Sequence, residues 1–282
     1  MKHRAIRDLN QLSDNDLFYE IAIGLNKIYE NCCELSESSK HLFENNNYRA
    51  SNIIYSIANE EAAKYIILID TLRCPRKNKK SITKQLAKFN DHMAKGVYAK
   101  LCGWSVSTYK ELCSYIEGEL DQYYLDGPMD IDWIFRNSII SNREEAFYVD
   151  YVQYDDEGHE WLAPKSNDTL GKSAYFTISP IISLVKALHN IGIENIESIK
   201  LFSDFWRTFE ITDNTHIQEL YDANLECLNI LDDKDLLVAT EEDQYSLVIK
   251  SLPFPLYNKD MKEKKISIQS LKNAQNDWCP EY

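Results

Sequence analysis

The sequence predicts a mainly α-helical protein: a four-helix bundle, a small β-hairpin and additional C-terminal helices. Three observations carry this reading. Apolar residues recur at three- and four-residue steps over long stretches. Glycine and proline are scarce, 8 and 7 of 282 residues, so little interrupts those stretches. One short region instead carries two aromatic and β-branched runs around Asp-Glu-Gly, the pattern of a hairpin.

The first helix starts at Ser13 or Asp14, both good N-cap residues. Leu17, Ile21, Leu25, Ile28, Cys32, Leu35 and Leu42 then mark one face over roughly seven turns at about 3.6 residues each. "ENNNY" is a turn, and a second long helix follows over residues 48–72. "RCPRKNKKS" breaks it at Pro75. A third helix is expected over 81–102 and a fourth over 105–125, and "DGPMD" closes the block. "EAFYVDYVQYDDEGHEWLAPK" reads as the hairpin. Further helices are expected over 173–190, with Pro180 as a kink or break, over 196–209 and over 216–231. "YSLVIKSLPFPLY" reads as a strand, and the last twenty residues as a loose polar tail. The expected organisation is a bundle with its hairpin over 1–170 and a helical extension over 171–282 packed on it.

The formal net charge is −14, so the molecule as a whole repels polyanions at long range. This disfavours a sequence-blind nucleic-acid coat and leaves room for a local basic site. The seven cysteines are Cys32, Cys33, Cys74, Cys102, Cys113, Cys227 and Cys279, with no CxxC pair. Reduced thiols in a cytoplasm fit better than a disulfide framework or a zinc site. The first residues lack the apolar core of a signal peptide, and no apolar run approaches about 18 residues, so a cytoplasmic protein without a membrane span is expected.

The second helix contains "SIANEEAAKYIILID". On a helical wheel of about 100° per residue, Ala50, Ile54, Ile57, Ala58, Tyr65, Leu68 and Leu72 share one face. Glu61 falls near its centre, with Glu60 and Lys64 on its flank. A carboxylate in an apolar seam is costly unless something meets it. The next helix offers His92 and Lys95 along a flank that also carries Lys88. Antiparallel packing would bring Glu60, Glu61, Lys64, His92 and Lys95 into one polar pocket. The same residues would equally serve as ion pairs that only fix helix register.

Charge is also uneven. Nine cations and one acid between Arg73 and Lys100 make that segment +8, leaving −22 elsewhere. Arg76, Lys77, Lys79, Lys80, Lys84 and Lys88 are candidate contacts to an RNA backbone, read without base specificity. A solvated helix face, or a site for an acidic surface, explains the run as well.

Three motifs in order resemble the AbiV abortive-infection family. They are "NNNYRAS" leading into "SIANEEAAK", then "FNDHMAK", then "REEAFYVDYV" followed by Trp161 and Pro164. The resemblance covers about residues 15–165. It implies an antiphage function and the HEPN superfamily, whose helical bundles often act as metal-independent ribonucleases across a dimer interface. HEPN nucleases usually carry an Arg-x4–6-His motif. Here no arginine has a histidine five to seven residues later; Arg207 and His216 come nearest. The remaining set adds Arg143, Tyr148 and Asp150 from the third motif to the Glu–Lys–His cluster.

The expected function is growth or translation arrest in infected bacteria by metal-independent RNA cleavage. His92 would act as acid or base, Lys64, Lys95 and Arg143 would stabilise phosphate, and Glu60 and Glu61 would orient them. Tyr148 and Asp150 would complete the pocket. Expected partners are RNA, a phage-encoded trigger and a second copy of the chain, with no cofactor. The alternative is a non-catalytic protein that binds a phage product or the translation machinery. Metal-assisted chemistry through Glu60, Glu61, His92 and Asp150 is disfavoured by the adjacent lysines.

Overall fold

The computed structural model describes residues 5–121, 137–154, 158–164 and 175–263, with 267, 269, 270 and 273. "DGPMD", the tip of the hairpin and most of the polar tail lie outside these residues.

A 3-10 helix, Ile6–Gln11, leads into α1, Asp14–Glu44. Ser13 caps α1 by accepting from the Asp16 amide at 3.3 Å, and Asp14 and Asp16 sit at its positive end. Leu17, Ile21, Leu25, Ile28 and Cys32 bury the expected stripe. Asn46 takes a left-handed φ of 59° in the turn to α2, Tyr48–Arg73. Ser39 and Ser51 donate to each other's carbonyls, each at 2.8 Å, where the two helices meet. The second half of α2 is buried on all sides from Tyr65 to Arg73, which makes it the central helix.

The expected third helix is two helices, α3 (Lys79–Lys88) and α4 (His92–Leu101). Asp91 adopts extended backbone and caps α4, accepting from the Ala94 amide at 3.0 Å. Ile82, Leu86, Met93 and Val97 are buried on both sides of the break, so apolar spacing alone does not reveal it. α5 is Tyr109–Asp121. Then comes α6, Ser138–Phe147, a helix the sequence reading did not place; its last three residues are the first three of the expected hairpin. The hairpin itself is β1 (Asp150–Tyr154) and β2 (Gly158–Leu162), antiparallel with Tyr151 opposite Trp161.

The rest is helical. α7 (Pro180–Asn190) begins at Pro180, which occupies its first turn, where a missing N–H costs nothing. α8 is Ile196–Trp206, and α9, Ile217–Asp232, starts with a His216–Glu219 capping box. α7 and α8 pack on α1 and α2. The expected strand near 245 is a helix, α10, Glu242–Ser251. Tyr245, Val248 and Leu252 face inward at helical spacing, and this burial outweighs the β-branched local composition. No helix among the described residues is long and apolar enough to cross a membrane.

Candidate active site

The helical face of α2 that carries Asn52, Tyr55, Ser56, Asn59 and Glu60 lines an open cleft of about 420 Å³. α4 and α6 form the opposite walls, through His92, Gly96 and Lys100 and through Ile139 and Arg143. α4 and α6 approach closely at Gly96, where an added Cβ would lie 2.2 Å from Ile139 Cγ2. Thr177 and Ser179, just before α7, close one end. Ser179 Oγ lies 2.5 Å from Asn59 Oδ1, and Tyr55 Oη donates to the Thr177 carbonyl at 2.9 Å.

Glu60 is the hub. Its carboxylate accepts from Lys95 Nζ at 2.5 Å and Arg143 Nε at 2.9 Å, and lies 3.1 Å from His92 Nδ1. Burial pushes the Glu60 carboxyl up, but Lys95, His92 and Arg143 together hold it below the usual carboxylate range. Lys95 is 6% exposed and serves the fold from beneath, whereas His92 is 45% and Arg143 28% exposed at the cleft. Among the described residues His92 Nε2 has no hydrogen-bond partner, so the Glu60 contact orients the ring and leaves that nitrogen available.

The structure therefore gathers Glu60, His92, Lys95 and Arg143. It separates them from Glu61, which pairs with Lys64 one turn along the same helix. Lys64 also sits 5.4 Å from the centre of the Phe89 ring. The wheel centred on Glu61 because α2 is buried almost all round beyond Ala62, leaving its apolar face without a clear edge. Tyr148 is mostly exposed and packs edge-on to Phe147. Asp150 pairs through its backbone with Leu162, and its side chain lies outside the described residues. No group of three or more His, Cys, Asp or Glu among the described residues is placed to hold a metal ion.

The basic segment is less free than its sequence implies. Arg76 donates to Asp14, Lys100 to Glu119, and Arg73 is buried against Asp70. Lys88, a candidate RNA contact, is 6% exposed and donates to Gln85 Oε1 at 2.9 Å and the Leu256 carbonyl at 2.7 Å. Its burial removes it from any nucleic-acid surface. Lys77, Lys79, Lys80 and Lys84 stay exposed and, among the described residues, outside ion pairs; Lys79 donates to the Asn10 carbonyl at 2.8 Å.

Sequence reasoning missed a second polar centre. Asp70 accepts from Arg73 Nε at 2.9 Å, Tyr98 Oη at 2.5 Å and the Leu256 amide at 3.1 Å. Gln85 and Lys88 extend this network, and Arg73 reaches the Pro253 carbonyl at 2.8 Å. It fastens residues 253–256 onto α2, α3 and α4. The signal was an Asp and an Arg three residues apart within the apolar run "IILIDTLR".

A family model described as AbiV matches residues 20–178, more than half of the chain. Neither a curated protein nor a solved structure matches it. The matched region holds Glu60, His92, Lys95 and Arg143 and ends beside Ser179.

Proposed function

The chain belongs to the AbiV family of HEPN proteins, whose membership points to antiphage abortive infection, and from that premise we propose an RNA-cleaving arrest mechanism. The observation that carries it is an exposed imidazole held by a carboxylate beside an accessible guanidinium. A carboxylate–imidazole pair fixes the tautomer and steadies the positive ring once it takes a proton. His92 would remove the 2′-hydroxyl proton, and the 2′-oxygen would attack the adjacent phosphorus. The bond to the 5′-oxygen breaks as that oxygen takes a proton from solvent water, leaving a 2′,3′-cyclic phosphate and a 5′-hydroxyl. Arg143 would bind the non-bridging oxygens as charge builds on them. Lys95, buried beneath Glu60, is better read as the counter-ion that keeps the carboxylate in place. Lys77, Lys79 and Lys80 would hold RNA backbone outside the cleft. We read residues 1–170 as the unit that performs this step, with a homodimer as its working assembly, and 171–282 as an extension packed on it.

A second reading draws on the saturation of Glu60 by Lys95, Arg143 and His92. In it the cluster only fixes α2, α4 and α6, and the protein acts by binding a phage product or the translation machinery. Plaque counts on lawns expressing wild type, His92→Ala and Arg143→Ala at matched protein levels separate the two. Cleavage predicts that His92→Ala loses protection, since general acid–base catalysis is worth about 100-fold or more in rate. Full protection by His92→Ala would sink the nuclease assignment.

A further inference from the structure

A second cavity, of about 250 Å³, lies where the 3-10 helix, α3, the start of α4 and residues 259–262 meet. It is separate from the Glu60 cleft and shares no lining residue with it. Five of its lining residues are cationic: Arg7, Lys84, Lys88, Lys259 and Lys262. Among the described residues, none of the five is in an ion pair. Two carboxylates share the wall. Asp91 accepts from the Ala94 amide at 3.0 Å as the cap of α4, and Asp260 accepts from the Lys262 amide at 3.2 Å. Lys88 has three donors and spends two, on Gln85 and Leu256.

Five cations line one pocket against two carboxylates; Asp260 acts on Lys88 and Lys259 sits 5.5 Å from the centre of the Tyr109 ring, and the wall still carries an excess of positive charge. The concentration is unusual in a chain of net charge −14. Compact, strongly hydrated ammonium groups suit a multiply charged anion more than a single carboxylate. The volume falls below the range of about 300–1,000 Å³ typical of drug-sized ligands, so the occupant is small.

We propose that this cavity binds a small phosphorylated anion and is a ligand site distinct from the Glu60 cleft. This assigns Lys84 and Lys88 to a small ligand rather than to an RNA backbone. It does not rest on the nuclease reading. One wall comes from residues 259–262, just beyond the Leu256 clamp, and the opposite wall from α3 and the 3-10 helix. An anion between them would hold the C-terminal segment down, so its concentration would regulate how firmly that segment is seated.

The test is isothermal titration calorimetry of the full-length protein with inorganic pyrophosphate at fixed ionic strength. Wild type, the double variant Lys84→Gln/Lys262→Gln, and Arg143→Ala are compared. Both substituted lysines are exposed and, among the described residues, outside ion pairs, so the double variant should fold, which a thermal melt checks; should it not, Arg7→Gln replaces it with the same expectation in direction. The expected result is saturable binding by wild type and Arg143→Ala, and affinity at least about tenfold weaker in the double variant. No saturable binding by wild type would overturn the proposal, as would equal binding by the folded double variant. Loss of binding in Arg143→Ala alone would place the anion in the Glu60 cleft instead. Binding of a 5′-phosphorylated RNA without binding of pyrophosphate would assign the cavity to nucleic acid and also overturn it.

Discussion

Glu60 and Glu61 are adjacent and chemically identical, yet their surroundings give them different weight. Removing Glu60 leaves Lys95, 6% exposed, without its counter-ion and frees both His92 and Arg143. Glu60→Ala should therefore destabilise the fold by about 3 kcal/mol, the scale for breaking one side of a buried pair. Glu61→Ala removes a partly exposed contact within one helix and should cost less than about 1 kcal/mol. Urea denaturation of both variants measures the contrast; equal losses would show that Glu60 is not the hub. The acid limb gives an independent check. The Glu60 carboxyl is held below its ordinary value of 4.5, so its stabilising contribution is present above that pH in the folded chain. It is lost as the pH falls through the lowered folded value. The stability gap between wild type and Glu60→Gln should then close as the pH drops below about 4.5, approaching zero once both side chains are neutral.

At the scale of elements, Gly96 sets how closely α4 and α6 approach, and so where Arg143 stands relative to His92. A Cβ there would lie 2.2 Å from Ile139 Cγ2. Gly96→Ala should destabilise by about 1–3 kcal/mol as the helices part. Adding Ile139→Ala should recover part of that loss in a double-mutant cycle, and no recovery would place the strain elsewhere. The same scale shows what the sequence makes legible. α1 and α2 follow from apolar spacing and caps, and the hairpin from its composition. The α3–α4 break is invisible to periodicity because the stripe runs through it in phase, and only the Asn-Asp before His92 marks it. α10 looks like a strand because its β-branched residues cluster locally, while the burial that makes it a helix comes from α7 and α9. His92, Lys95 and Arg143 were legible as a motif set. Ser179 was not, since its place at the cleft comes from chain 120 residues away from Asn59.

Across the whole molecule, the Asp70 network ties residues 253–256 to the helices that carry the cleft. Asp70 and Arg73 are both fully buried, and the carboxylate holds the Leu256 amide directly. Asp70→Ala should cost about 3–5 kcal/mol by leaving a guanidinium buried and unpaired. Hydrogen exchange should then quicken first at Leu256 and its neighbours; unchanged protection there would mean that the segment is held by apolar contacts alone. Charge is also organised at this scale. The +8 segment is spread over ion pairs, a buried lysine and a few free side chains, so the chain presents a restricted basic surface within an acidic body. Such a body would confine contact with any polyanion to a defined face. We propose that the cleft around Glu60, His92 and Arg143 cuts RNA during infection. The most direct test is sequencing of RNA 5′ and 3′ ends in phage-infected cells, with wild type and His92→Ala at equal protein levels. New ends, with 5′-hydroxyl termini, are expected in wild type alone. Protection from phage with no new ends, or the same ends in both strains, would contradict it.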